Sequence, residues 1–260
     1  GLGKSHIEKY IVAEEMSYAI GLGAHGTGEG MAGPVIMRYG LEPMKQEFLP
    51  RIARGEIEFA LGYSEPAAGS DLAALQMRAV RNGDHYIING QKVFNTACHY
   101  AQYHWLAART NPNVPKHKGI SMFIVDMDSP GITVSGMYGM GGVRTNEVFY
   151  DEVKVPAGRL VGEENKGWEY LLAALAFERN WQMGYMIRLY ETFLEFCRTT
   201  RRQGKPLIED PVVRETLAGF AIELEVGRLF GIRNTCMIEK GEVPSWEAAV
   251  AKVFGSELWY

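Results

Sequence analysis

Glu178 is the residue whose type and surroundings most favour acid–base chemistry. It belongs to a mostly apolar stripe with steps of three or four residues, which lie on one side of a helix: Trp168, Leu171, Leu175, Glu178, Gln182, Tyr185 and Leu189. Glu169, Asn180 and Glu191 fall on nearly the opposite side, so Glu178 is predicted to point inward. Burial raises the pKa of a carboxyl group toward the range of a general base. A buried ion pair with Arg179 is the alternative interpretation.

Two further segments contain residue types that suit ligand binding. Residues 61–71 read LGYSEPAAGSD, where Ser64 and Ser70 offer hydroxyl groups and the small residue Gly69 lets the backbone approach a ligand closely. Residues 90–96 read GQKVFNT and contain Phe94 and Thr96. The first segment can hold a phosphate or a polar planar group, but an ordinary turn has the same composition. By themselves, Phe94 and Thr96 read as a core aromatic residue and a strand hydroxyl.

The elements that must position these residues fall into three regions. Up to Arg54 the pattern is helical, with helices predicted from Pro34 to Tyr39 and from Pro43 to Ile52. Between Phe59 and Val161 short β-prone runs follow one another, and Asn82-Gly83 predicts a hairpin. The predicted strands are 79–81, 85–88, 103–108, 120–126, 133–137 and 147–155. Helical periodicity returns after Gly167, with a break at residues 204–206 and helices around residues 213–224 and 244–253.

This order predicts an α+β multidomain fold with an N-terminal helical domain (residues 1–58), a central antiparallel β-sandwich or barrel (59–163) and a C-terminal helical bundle (164–260). The sequence begins with Gly1-Leu2-Gly3, and its last residues, 257–260, lie in the middle of a helical pattern. We therefore interpret the 260-residue sequence as a segment of a longer chain.

Composition excludes several classes of function. The net charge of −4 and the absence of a long basic run argue against nucleic-acid binding. Three distant cysteines and scattered histidines predict neither a disulfide framework nor a metal site. No apolar run is long enough for a membrane span.

Taken together, residues 61–71 and 90–96, with Pro156 to Trp168 and Phe177-Glu178-Arg179, strongly resemble the acyl-CoA dehydrogenase family. The resemblance covers nearly the whole chain in the family's order. It implies FAD bound between the β domain and the C-terminal helices. It further implies α,β-dehydrogenation of an acyl-CoA thioester to a trans-2-enoyl-CoA, with removal of the α-proton by a glutamate and hydride transfer to flavin N5.

The resemblance also assigns roles to individual residues. FAD-binding positions are implied at Leu61, Tyr63, Ser64, Gly69, Ser70, Phe94 and Thr96. Phe94 stands where many members have tryptophan, so the aromatic face is kept and the indole N–H is lost. Glu178 matches the variant in which the catalytic base lies on the first helix of the bundle, as in isovaleryl-CoA dehydrogenase. Ser70, Arg179 and Gln182 are candidate substrate-binding residues.

Partners and location follow from the same resemblance. It implies an electron-transfer flavoprotein as electron acceptor and a homo- or hetero-tetramer built as a dimer of dimers. It places the protein in a bacterial cytoplasm or, alternatively, in the mitochondrial matrix. Three other functions stay open: an oxygen-using flavoenzyme of the same fold, a non-catalytic subunit of a hetero-oligomeric acyl-CoA dehydrogenase, and a generic helical and β binding module.

Overall fold

The computed structural model describes residues 3–20, 26–178, 183–242, 244 and 246–259, without the side chains of Ile20, Phe177 and Glu178. Within these residues the helices are α1 (His6–Ile20), α2 (Gly33–Tyr39), α3 (Glu42–Ala53), α4 (Gly167–Glu178), α5 (Gly184–Thr199), α6 (Pro211–Glu239) and α7 (Trp246–Glu257). The strands are β1 (Phe59–Gly62), β2 (Arg78–Asn82), β3 (His85–Lys92), β4 (Tyr103–Arg109), β5 (Ile120–Asp126), β6 (Ile132–Tyr138), β7 (Arg144–Pro156), β8 (Arg201–Arg202) and β9 (Lys205–Pro206).

The chain forms two compact units. Residues 25–177 make up one, which we call the β unit, and residues 1–24 with 178–260 make up the other, which we call the helical unit. The predicted succession of helical, β and helical regions is confirmed by the order of the elements. The domain boundaries after residues 58 and 163 stay predictions.

The β unit contains a mixed sheet with strand order β1-β4-β2-β3-β7-β6, and β5 pairs with β4. The hairpin and meander pairs β2–β3, β3–β7, β6–β7 and β4–β5 are antiparallel. In contrast, β1 runs parallel to β4, and the first residue of β2, Arg78, pairs in parallel with Arg109. The chain between β1 and β4 includes the whole β2–β3 hairpin, which gives a parallel crossover the length it needs. The sequence patterns had indicated only antiparallel pairing.

The predicted β2–β3 hairpin is present, with its turn one residue later than expected. Asn82 pairs with His85, so the two turn residues are Gly83 and Asp84. Gly83 has a φ of +63°, and a glycine with positive φ in the first turn position is typical of a type II′ turn. Further along β3 the register with β7 shifts between Ile88 and Gly90, which changes the direction of the strand's last residues.

Strand β4 lies at the centre of the β unit and is buried on both faces. Tyr103, Trp105 and Ala107 pack in a core that includes residues of α2, α3 and α4. Leu106 and Ala108 pack in a second core formed by the other face of the sheet. Because apolar residues cover both faces, β4 and β5 are nearly continuous apolar runs rather than alternating ones.

The short helices of the β unit begin and end where the sequence predicts. Pro34 and Pro43 lie in the first turns of α2 and α3, where a missing backbone N–H leaves no donor unpaired. Gly40 follows the last residue of α2 and donates its N–H to the carbonyl of Ile36 at 2.8 Å. Both predicted helices are confirmed within one residue at each end.

In the helical unit, α1 packs against α5 and α6, and α6 packs against α7. Gly184 allows α1 and α5 to approach closely, because a Cβ atom there would lie 2.2 Å from the carbonyl oxygen of Glu14. Met183, Met186 and Leu224 form the centre of a small core. Among the residues that the structure describes, no helix is long and apolar enough to cross a membrane.

The apolar stripe around Glu178 predicts one helix from Trp168 to Leu189, and this prediction is wrong. Met183 is not helical, so the stripe is divided between α4 and α5. The N–H of Met183 donates to the carboxylate of Glu14 at 3.0 Å. A side chain from α1 therefore satisfies a backbone donor at the beginning of α5, where a helix leaves its first N–H groups unpaired.

Candidate functional site

The segment after β1 forms a tight turn with an open outer side. The backbone of Glu65 and Ala68 exchanges two hydrogen bonds, at 2.9 and 3.0 Å. Gly69 and Ser70 follow, and both are exposed. Apart from its chain neighbours, no heavy atom would lie within 4 Å of a Cβ atom at Gly69. The backbone and the Ser70 hydroxyl are therefore accessible to a ligand on this side.

The three predicted contact residues at the end of β1 differ in what they expose. Tyr63 is 4% exposed, and its hydroxyl accepts a hydrogen bond from Nε1 of Trp105 at 3.1 Å. Its side chain is therefore part of the core, and only its main chain remains for a ligand. Leu61 and Ser64 are half-buried.

Phe94 has an unusual combination of exposure and backbone geometry. Its φ is +58°, in the left-handed region where a bulky residue is rare. Its side chain is 65% exposed, while the flanking residues Val93 and Asn95 are buried. Thr96 is also exposed. The fold therefore exposes an aromatic ring and a hydroxyl group at the protein surface. The left-handed backbone at Phe94 is strained, and such strain is common at functional sites.

A buried amide network maintains this conformation. Asn95 donates its N–H to the carbonyl of Asn146 at 2.9 Å, and Nδ2 of Asn146 donates to the carbonyl of Asn95 at 2.7 Å. Nδ2 of Asn95 donates to the carbonyl of Val93 at 2.9 Å. Arg144 Nε donates to Oδ1 of Asn146 at 2.9 Å. The backbone on both sides of Phe94 is thereby fixed.

Hydrogen bonds bring the two predicted segments together, one of them between backbone groups. The N–H of Val93 donates to the carbonyl of Ser64 at 2.9 Å. Ser64 is therefore adjacent to the Phe94–Thr96 segment, although the two lie far apart in the sequence.

A buried ion pair between Glu65 of the first segment and Lys92 of the second also joins these segments. Their side chains are 7% and 0% exposed, and Nζ of Lys92 is 2.8 Å from Oε1 of Glu65. Burial lowers the pKa of Lys92 to about 8, an effect that the nearby carboxylate of Glu65 opposes.

His104 is a second buried polar residue under β1. Its Nδ1 is 2.7 Å from the hydroxyl of Tyr150, and its Nε2 has no hydrogen-bond partner among the described residues. Burial, followed by the charge of Lys92, lowers the pKa of His104 to about 3, so the ring is neutral. Gly62 makes room for the ring, since a Cβ atom there would lie 2.5 Å from Nε2.

Glu178 is the last residue of α4, and its side chain lies outside the described residues. It follows Leu171 by seven positions and Ala174 by four, and both of these are buried. Arg179 and Gln182 also lie outside the described residues. The roles predicted for these three residues stay predictions.

Glu14 belongs to α1 and contacts the N-terminal end of α5 within the helical unit. It is the carboxylate that accepts the N–H of Met183, and its Oε1 has no partner among the described residues. Burial raises its pKa, and the hydrogen bonds from the amides of Met183 and Gly184 oppose that rise.

The sequence did not predict a role in a site for four of these residues: Glu14, Lys92, His104 and Asn146. A signal was present for His104, because it is an ionisable residue inside a nearly continuous apolar run. Lys92 has the same parity as the buried residues Tyr86 and Ile88 of β3. In the part of the chain that the structure describes, no three His, Cys, Asp or Glu side chains are arranged to hold a metal ion.

Comparison with known families tests the resemblance that the sequence shows. Models of the acyl-CoA dehydrogenase N-terminal, middle and C-terminal domains match residues 1–56, 60–153 and 165–260. The chain belongs to the acyl-CoA dehydrogenase family. The resemblance of residues 61–71 and 90–96 to this family is thereby confirmed.

Individual relatives agree with this assignment. The chain is 38% identical to acyl-CoA dehydrogenase FadE29 of Mycobacterium tuberculosis over 99% of its own length and 66% of that protein. Among solved structures, it is similar to the Tcur3481-Tcur3483 steroid ACAD (TM-score 0.91, 39% identity, 99% of this chain and 66% of that one). It is also similar to the ChsE4-ChsE5 complex of Mycobacterium tuberculosis (TM-score 0.90, 37% identity, 99% and 67%). The chain thus spans about two thirds of the length of these relatives.

Proposed function

We propose that the protein containing this chain is an FAD-dependent acyl-CoA dehydrogenase that converts an acyl-CoA thioester to a trans-2-enoyl-CoA. The observation that carries the proposal is the arrangement around Phe94. An exposed aromatic ring in a left-handed backbone conformation lies next to a hydroxyl-bearing strand end, in a chain of the acyl-CoA dehydrogenase family.

The described residues fit FAD in chemical type. The Phe94 ring offers an apolar face to a planar ring system. Thr96 and Ser64 offer hydroxyl groups close to it, and a hydroxyl can donate to or accept from a heteroaromatic edge. The open turn at Gly69 and Ser70 offers backbone N–H groups and a hydroxyl to a phosphate. Leu61 and Tyr63 contribute backbone and packing at the same strand end.

In this proposal, Glu178 removes the α-proton of the thioester. Its place in the apolar sequence stripe of Trp168, Leu171 and Leu175 favours a carboxylate held away from water, which is the environment that a general base needs. Bound FAD supplies the acceptor for the β-hydride. An α-proton beside a thioester is too weakly acidic for a carboxylate in water, so donors must stabilise the negative charge on the thioester oxygen. Arg179, Gln182 and Ser70 are our candidates for substrate contacts.

The test is Glu178→Gln in the full-length protein, with Glu169→Gln, on the exposed side of α4, as the matched control. Both variants are expected to retain bound FAD. Mixing with acyl-CoA without oxygen should bleach the flavin at least about 100-fold more slowly in Glu178→Gln, because the general base is missing, and at the normal rate in Glu169→Gln. Normal bleaching in Glu178→Gln would place the base elsewhere in the chain.

The acyl-CoA panel should include straight-chain and steroid-bearing thioesters, since one similar structure is described as a steroid ACAD. Reoxidation of the bleached flavin by air is expected to be slow, with an electron-transfer flavoprotein as the natural acceptor. Rapid reoxidation would favour an oxygen-using flavoenzyme of the same fold.

A second candidate is a subunit of a hetero-oligomeric acyl-CoA dehydrogenase. It is favoured by the similarity to two structures whose names join two components. Light scattering on the full-length protein distinguishes the two arrangements. A flavin-loaded homotetramer supports the homomeric enzyme, whereas a smaller species that lacks FAD supports a requirement for a second subunit.

A bacterial cytoplasmic location stays part of the proposal.

A further inference from the structure

Glu65 and Lys92 form a buried ion pair within the β unit. We call this pair, together with its hydrogen bonds to the backbone, the clamp. The Glu65 carboxylate accepts hydrogen bonds from three donors: Nζ of Lys92 at 2.8 Å, the N–H of Gln76 at 2.6 Å and the N–H of Met77 at 3.0 Å. The ammonium group of Lys92 donates a second hydrogen bond to the carbonyl of Tyr63 at 2.9 Å. Apart from the ion pair itself, these bonds all go to the backbone of residues 63–77.

The clamp surrounds Ser64 on both sides. Lys92 holds the carbonyl of Tyr63 before it and the carboxylate of Glu65 after it. Val93, which follows the last residue of β3, donates its N–H to the carbonyl of Ser64. The orientation of the Ser64 peptide is therefore set from β3. Phe94 follows Lys92 by two residues, so the exposed ring also lies just after the end of β3.

Stability alone is a weak explanation for this pair. Both charges are taken out of water, and an apolar pair of similar volume is often at least as stable as a buried ion pair. A buried ion pair does, however, fix the direction of the groups that it bonds, because each acceptor must meet a donor of set geometry. This fixed geometry is useful where the backbone must bind a ligand without rearranging.

We propose that Lys92 is a positioning residue for the cofactor: through Glu65 and the carbonyl of Tyr63 it holds the Ser64 strand end in the orientation that binds the flavin ring. This inference rests on the proposed function. Lys92 is not a catalytic residue, since it acts through the backbone of Tyr63 to Glu65.

The experiment compares Lys92→Met with Lys116→Met in the full-length protein. Lys116 forms an exposed ion pair with Asp71 at 2.6 Å, just after the same turn, so its loss controls for removal of one positive charge close to the site. FAD dissociation constants are measured by flavin fluorescence on reconstitution of the apoprotein, and the visible absorption spectrum of bound flavin is recorded. The spectrum reports the flavin environment, which a purely structural role would leave unchanged.

We expect at least about a ten-fold weaker FAD affinity and a shifted flavin spectrum for Lys92→Met, which corresponds to about 1.4 kcal/mol of binding free energy. Lys116→Met should stay within about two-fold of the unmodified protein. The double variant Glu65→Gln/Lys92→Met leaves no unpaired buried charge, and it should fold while showing the same loss of FAD affinity.

Folded Lys92→Met or double variants with unchanged affinity and spectrum would overturn the positioning role. So would failure of both to fold, because the pair would then serve the fold rather than the site. Neither result would contradict the proposed function. That proposal fails only if the unmodified protein does not bind FAD, or if no acyl-CoA bleaches its flavin.

Discussion

His104 should make the protein sensitive to mild acid, and the size of the effect follows from its burial. The pKa of His104 is lowered from 6.5 to about 3 by burial and by the charge of Lys92. The unfolded chain therefore binds a proton below pH 6.5 that the folded chain does not. Stability from the neutral ring is present above that pH and is lost as the pH falls toward the folded value.

The full pKa difference corresponds to about 5 kcal/mol in the free energy of unfolding. About 2 kcal/mol of this stability is lost between pH 7 and pH 5. The assay is urea unfolding at these two pH values for the unmodified protein, His104→Asn and His117→Asn. His117 is exposed, so its replacement should leave the pH dependence unchanged. His104→Asn should lower the stability at pH 7 but reduce the loss between pH 7 and pH 5 by about 2 kcal/mol.

Equal losses of stability, within about 0.5 kcal/mol, for His104→Asn and the unmodified protein over this range would contradict a protonation penalty at His104. That result would mean that the ring accepts a proton in the folded state without penalty. Its unpaired Nε2 would then have to be reached by water or by a nearby acceptor.

Two other buried polar groups give separate predictions. Asn146→Ala removes the hydrogen bond from Nδ2 of Asn146 to the carbonyl of Asn95 and the acceptor for Arg144, while the backbone carbonyl that accepts from Asn95 remains. The change should destabilise the protein by about 3 kcal/mol in urea unfolding, with weaker FAD binding. A loss below about 0.5 kcal/mol would contradict the network's role. Glu14→Gln keeps an acceptor for Met183 and removes a buried charge whose pKa is raised, so it should raise stability at pH 7 by about 1 kcal/mol. Because the raised pKa makes the folded state hold its proton longer, this gain should vanish as the pH falls toward the unfolded value. The exposed Glu15→Gln is the control, and an unfolding temperature that falls in Glu14→Gln would count against the argument.

The sequence predicts local elements well where one residue dictates backbone geometry. Pro34 and Gly40 bound α2, and Gly83 sets the turn of the β2–β3 hairpin. The same rules cannot indicate which strands pair when the partners lie far apart. The parallel pairing of β1 with β4 depends on how the intervening hairpin folds back, and no local pattern encodes it.

The candidate site was only partly accessible from the sequence. The types of Ser64, Phe94 and Thr96 and their family resemblance marked the two segments that the structure brings together. The support under them was missed, because the role of Lys92 and Asn146 depends on long-range hydrogen bonds. The break at Met183 was missed for a similar reason, since the carboxylate that stabilises the new helix end comes from α1.

The close approach of Gly62 to His104 links two positions that belong to neighbouring parallel strands. Any side chain at position 62 would enter the space of the imidazole ring. An alanine or cysteine there is compatible with the fold only when position 104 carries something smaller. We therefore expect epistasis between the two sites: each exchange is harmful alone and tolerated in combination, so evolution must alter them as a pair.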